Sequence, residues 1–135
     1  MKNKTVFAIV AFFAICLSLL SGCAAAQDPA ITETSNGKQI ALKAGQPLTV
    51  KLESNVTTGY SWEVAGVDAT VLKQQGDSQY AQANSNQKIV GAGGWQTFHF
   101  TAEKAGSTTL KLIYHRPFEK GVEPIKTFTV QVTVQ

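Results

Sequence analysis

Apolar and polar residues alternate with a period of two through most of the chain beyond residue 37. Leu48, Val50 and Leu52 alternate with Thr49, Lys51 and Glu53, and Tyr60, Trp62 and Val64 alternate with Ser61 and Glu63. Further on, Phe98 and Phe100 alternate with Thr97, His99 and Thr101. Leu110, Leu112 and Tyr114 alternate with Thr109, Lys111 and, less cleanly, Ile113, and Phe128, Val130, Val132 and Val134 with Thr127, Thr129, Gln131 and Thr133. One apolar and one polar face per segment is what an antiparallel sheet with one wet side requires.

Turn signals separate the runs: Ala44-Gly45-Gln46-Pro47, Thr58-Gly59, Gly91 to Gly94, Ala105-Gly106 and Lys120-Gly121. Short strands at this spacing predict an all-β protein, a sandwich or barrel. No stretch of this region keeps an apolar period of 3.6 long enough for a substantial helix. The best candidate, Val67 to Leu72, is rich in β-branched residues and makes at most one turn. Gln74 to Lys88 is the longest non-apolar stretch, an exposed connection or weak edge strand.

The start of the chain has a different pattern. Lys2 and Lys4 precede an apolar run from Val6 to Leu20, closed by Ser21-Gly22-Cys23. That order of charge, apolar core and small residues is a secretory signal, and the run is short for a membrane span. Leu20-Ser21-Gly22-Cys23 resembles a bacterial lipobox, whose cysteine becomes the lipidated first residue of the mature protein. The expected organisation is therefore a lipoprotein signal peptide over 1–22, a lipidated N-terminus and tether over 23–36, and one domain over 37–135. The expected location is the bacterial cell envelope, with a membrane anchor at Cys23; Ala24 after the cysteine suits the outer membrane of a Gram-negative cell.

This organisation changes the chemistry available. Cys16 falls in the signal and Cys23 carries lipid, so the folded domain has no disulfide, thiol nucleophile or thiolate metal site. Of twelve basic residues, Lys2 and Lys4 leave with the signal, and ten against nine acidic residues give about +1. No basic face for nucleic acid is expected. His99 and His115 lack patterned carboxylates, so no metal site is expected. Serines are scattered without a G-x-S-x-G elbow, and no carboxylate spacing favours a glycosidase pair. Gly91-Ala92-Gly93-Gly94 is followed by Trp95-Gln96-Thr97-Phe98, a strand pattern rather than the helix a phosphate loop needs. No catalytic residue and no cofactor are expected. Asn55-Val56-Thr57 matches a glycosylation sequon, which a bacterial lipoprotein does not use.

Three loop stretches remain that are neither core nor spacer: Asn55 to Gly59, Gly91 to Trp95, and Arg116-Pro117-Phe118. Together with their flanks they read Asn55-Val56-Thr57-Thr58-Gly59-Tyr60-Ser61-Trp62, Gly91-Ala92-Gly93-Gly94 and Tyr114-His115-Arg116-Pro117-Phe118. In this order they resemble the motifs of the chagasin-type inhibitors of papain-like cysteine proteases, peptidase inhibitor family I42. The resemblance implies an immunoglobulin-like antiparallel β-sandwich with the three loops at one end.

It further implies a reversible, tight-binding inhibitor whose partner is a papain-like cysteine protease. Asn55, Val56, Thr57, Thr58 and Gly59 would form a wedge for the active-site cleft. Gly91, Ala92, Gly93, Gly94 and Trp95 would form one flank, the glycines allowing close backbone approach; Arg116, Pro117 and Phe118 would anchor the other. Tyr60 and Trp62 share the phase of Val64 and are expected beneath the loop. A monomer is expected.

Two positions depart from the family. Val56 replaces the usual proline, releasing a restriction worth about 0.4–1 kcal/mol, and Phe118 replaces the commoner tryptophan without its indole donor. A carbohydrate-binding or adhesion sandwich, stacking ligands on Trp95, Phe118 and Tyr80, is the alternative; it needs those aromatics on one flat face.

Overall fold

The computed structural model describes residues 28–83 and 91–135. Nine strands form two facing sheets: β1 (Ala30–Ile31), β2 (Gln39–Leu42), β3 (Pro47–Ser54), β4 (Ser61–Gly66), β5 (Leu72–Gln74), β6 (Gln79–Gln82), β7 (Gly94–Ala102), β8 (Gly106–His115) and β9 (Lys126–Val134). One sheet has the order β1-β3-β7-β5, with β6 also pairing along β7; the other has the order β2-β9-β8-β4. The proposed signal and Cys23 lie outside the described residues.

The period-two runs become the strands that carry the core. Leu48, Val50 and Leu52 of β3 and Phe98 and Phe100 of β7 face Leu110, Leu112 and Tyr114 of β8 and Phe128, Val130 and Val132 of β9, all buried. At about 1.5–3 kcal/mol for each large apolar side chain, these rows drive the sheets together. Their outer neighbours, such as Lys51 and Lys111, stay in water.

Two features depart from the sequence reading. The ladders are antiparallel except at two margins, where β1 runs parallel to β3 and β2 parallel to β9. Moreover, the expected tether is folded from Pro29 onward. The Pro29 carbonyl accepts from Thr49 N–H, Ile31 joins the core, and the Glu33 carboxylate accepts from Glu53 N–H. Asn36 bonds the backbone of Thr127 and Thr129. A two-residue strand and a 3-10 turn over Glu33–Ser35 carry no periodicity, so they leave no pattern to read.

Within residues 74–83, the described part of the stretch Gln74 to Lys88, both suggested alternatives appear, and residues 84–88 lie outside the described residues. β5 ends at Gln74, an exposed connection follows, and β6 returns as an exposed edge strand beside the first residues of β7.

Candidate functional site: three loops at one end of the sandwich

β3 ends at Ser54 and β4 begins at Ser61, and the chain between them folds into a 3-10 turn over Val56–Thr58. Asn55 caps it. Its Oδ1 accepts from Thr57 N–H (3.3 Å) and from Thr57 Oγ1 (2.6 Å), the local bonding that makes Asn a preferred cap. Thr58 N–H and Thr58 Oγ1 both donate to the Asn55 carbonyl, at 3.2 and 2.6 Å. Gly59 closes the turn in the left-handed region (φ 82°), where a side chain is strained. Both threonine hydroxyls are thus turned back into the loop, on a tip that is exposed and uncharged.

The other two loops grip this turn from either side. Asn55 Nδ2 donates to the Gly91 carbonyl at 3.2 Å. A Cβ built on Gly93 would lie 3.5 Å from the Ser54 carbonyl, so the glycine loop runs close beneath the start of the turn. On the opposite side, Arg116 Nε donates to the Thr58 carbonyl at 3.2 Å, and the Phe118 ring would lie 3.0 Å from a Cβ on Gly59. Arg116 also pairs with Glu119 at 3.1 Å and sits 4.4 Å over the Tyr60 ring. Its guanidinium is therefore a strut held by three internal partners. Phe118, 69% exposed, faces outward beside Pro117.

Aromatic rings support the turn. Tyr60 stacks on Tyr114 (5.5 Å), Trp62 leans on the same ring (5.1 Å), and Tyr114 OH accepts from Asn55 N–H at 2.8 Å. Trp62 is buried and its Nε1 donates to the Glu53 carbonyl at 2.8 Å. Tyr60 is half-buried against the core. Both take the supporting position that their phase predicts.

Two members of the expected set have other surroundings. A Cβ on Gly94 would lie 2.2 Å from the Ala81 carbonyl and 2.8 Å from Gln82 Cα, so the close approach there is made by β6 of the same chain. Gly94 is buried under that strand rather than open to a partner. Trp95 alternates out of the core onto the outer face of β7, with Lys51 Nζ 5.0 Å from its ring. Gly91 (φ 86°) has open space around it, Ala92 is half-buried, and Pro117 is exposed.

The sequence reading missed the polar residues beneath the loops. Gln96 and Ser54 are buried, at 6% and 2% exposure. Extending the Phe98–Phe100 alternation back by two residues places Gln96 on the core side, the one signal that could have found it. Exposed large apolar residues also gather at this end. Val56 lies in the turn, and Phe118, Val122 and Ile125 lie in the loop between β8 and β9.

A family model described as the chagasin family peptidase inhibitor I42 matches residues 41–132. Chagasin of Trypanosoma cruzi is 30% identical over 104 residues, covering 74% of this chain and 92% of chagasin. Amoebiasin-1 of Entamoeba histolytica is 32% identical over 108 residues, covering 78% of this chain and 98% of that protein. Among solved structures, a cysteine protease inhibitor of Entamoeba histolytica superposes with a TM-score of 0.71 at 24% identity, over 79% of this chain and 95% of its own. With the family model spanning most of the sandwich and the motif loops gathered at one end, this chain belongs to the chagasin family of cysteine protease inhibitors, I42, and is not an enzyme.

Proposed function

We propose that the end of the sandwich bearing residues 55–59 enters the active-site cleft of papain-like cysteine proteases and blocks it reversibly. The observation that carries this reading is where the wedge's carbonyl groups point. The Asn55, Val56 and Thr58 carbonyls accept hydrogen bonds from Thr58, Gly59 and Arg116 respectively. A papain-like protease attacks a substrate carbonyl with a cysteine thiolate and needs that carbonyl in line. A compact 3-10 turn with three of its five carbonyls, those of Asn55, Val56 and Thr58, bonded inside the protein is held away from the extended shape in which a substrate carbonyl is presented.

The flanking loops supply rigidity and contact area. Asn55 to Gly91 on one side and Arg116 to Thr58 on the other hold the turn before the protease arrives, which lowers the entropy lost on binding. Phe118 and Val56 provide exposed apolar surface at the tip, and an interface of roughly 800 Å² per partner is within reach of three loops. The carbohydrate-binding alternative is disfavoured by register. Tyr80 pairs with Gln96 and Ala81 with Trp95, so Tyr80 and Trp95 belong to opposite faces of one sheet.

Titration of papain tests this reading. Stoichiometric loss of peptidase activity, regained on dissociation with the inhibitor recovered uncleaved, is expected; full activity at micromolar inhibitor refutes it. A monomer suffices, because all three loops come from one chain.

We further propose that the protein is lipid-anchored in a bacterial envelope through Cys23, on the strength of Leu20-Ser21-Gly22-Cys23 after the apolar run. A labelled fatty acid should mark the wild type and not Cys23→Ala. Equal labelling excludes the anchor.

A further inference from the structure

We propose that Gln96 is the positioning residue of the inhibitory tip, its buried carboxamide fixing the turn of residues 55–59 relative to the glycine loop. The proposal deepens the inhibitory reading above and rests on it. Gln96 lies two residues into β7, directly after the glycine loop, and points between the sheets. Its Oε1 accepts from Trp62 N–H at 2.8 Å and from Ser54 Oγ at 3.4 Å; its Nε2 donates to the Trp62 carbonyl at 2.9 Å and to Ser78 Oγ at 2.8 Å.

These partners are not arbitrary positions. Ser54 is the last residue of β3 before the turn, Trp62 is the second residue of β4 after it, and Ser78 precedes β6, which covers Gly94. One amide therefore joins the strand entering the wedge, the strand leaving it, the strand from the glycine loop and the edge that covers that loop. β4 is a marginal strand of its sheet, and its Trp62 N–H and C=O turn away from β8 toward the facing sheet. Gln96 pairs with both as a neighbouring strand would.

Directional bonding matters here because most of the inter-sheet contact is apolar, with the Trp62 Nε1 bond to the Glu53 carbonyl a second polar link beside it. Burial of Leu, Val and Phe is non-directional and sets separation without fixing relative position to a fraction of an ångström. A bidentate amide sets direction as well, and leaving its partners buried and unpaired is costly. The role differs from that of Tyr114 and Arg116, which touch the turn itself; Gln96 acts through the strands on either side.

The test compares Gln96→Met and Ser78→Ala with Val132→Ala, a core truncation at a position paired with Ile40 and Thr108, away from the loop end of the sandwich. Two readouts are taken on the intact protein: amide hydrogen exchange at Thr57, Thr58 and Gly59, and the dissociation rate from papain. Gln96→Met should speed loop exchange and papain release at least tenfold, and Ser78→Ala about threefold, while Val132→Ala lowers the melting temperature with both rates unchanged. If Gln96→Met does not fold, Ser78→Ala carries the comparison. Loop exchange in the glutamine and serine variants equal to that of Val132→Ala overturns the proposal, whatever the inhibition. Failure of the wild type to slow papain, with loop exchange responding as expected, refutes the inhibitory reading and leaves the positioning role standing.

Discussion

Two turns in this molecule are built almost identically. In one, Asn55 Oδ1 accepts from Thr57 N–H and Oγ1, and the Asn55 carbonyl accepts from Thr58 N–H. In the other, Asp68 Oδ1 accepts from Thr70 N–H at 2.9 Å and Thr70 Oγ1 at 2.6 Å, and the Asp68 carbonyl accepts from Val71 N–H. The chain leaves the two turns in different directions. Val71 and Leu72 plunge into the core, whereas Gly59 swings into the left-handed region and leaves Thr57 and Thr58 exposed. The cap differs as well: an amide offers a donor that a carboxylate lacks, and Asn55 uses it to hold Gly91. The same local chemistry thus makes a structural corner in one place and a site in the other, and the distinction comes from residues distant in sequence.

That comparison is broken most severely by charging the exposed turn. Replacing Thr57 and Thr58 with arginine should weaken inhibition of papain at least a hundredfold, about 2.7 kcal/mol, with a melting temperature within about 2 °C of wild type. A collapse in stability would make the loop structural, as at Asp68. Next in size, Gly94→Ala forces a Cβ against the Ala81 carbonyl and should cost about 1–3 kcal/mol in urea unfolding. Unchanged stability would return Gly94 to a partner-contact role.

Asn55→Asp gives the site turn the cap of the structural one. The Thr57 bonds survive, but a carboxylate oxygen then faces the Gly91 carbonyl. A loss of about 1–2 kcal/mol should appear as roughly five- to thirtyfold weaker inhibition, with near-native stability. The reciprocal change, Asp68→Asn, should leave inhibition untouched.

Its effect belongs to stability and pH. The Thr70 hydroxyl and backbone N–H hold the Asp68 carboxyl below its ordinary value. A folded value below the unfolded one contributes stability that is present above the unfolded value and is lost as pH falls through the folded one. Wild type should therefore lose its small advantage over Asp68→Asn below about pH 4 and keep it constant above that. A difference that grows on acidification contradicts the assignment.

Legibility in the sequence followed the same division between local pattern and distant contact. β3, β4, β7, β8 and β9 are readable because each has one wet and one dry face, so burial writes itself as alternation. The motif loops could be placed together only through the family resemblance, since nothing in Arg116 or Gly91 alone indicates that both touch the same turn. β1 is too short for any period, and the parallel pairing of β1 and β2 is a long-range choice without a local signature. Gln96 hides for a related reason. A polar residue in the dry phase looks like the end of a strand until Trp62 and Ser54 are seen around it.

The central claim is that the end bearing Asn55 to Gly59 meets the protease. The most direct measurement is amide hydrogen exchange of the wild-type protein with and without saturating papain. Protection confined to residues 55–59, 91–93 and 116–118, with the Asp68–Leu72 turn unchanged, is predicted. Protection on the outer sheet face around Trp95 and His99, or equal protection of both turns, would contradict it.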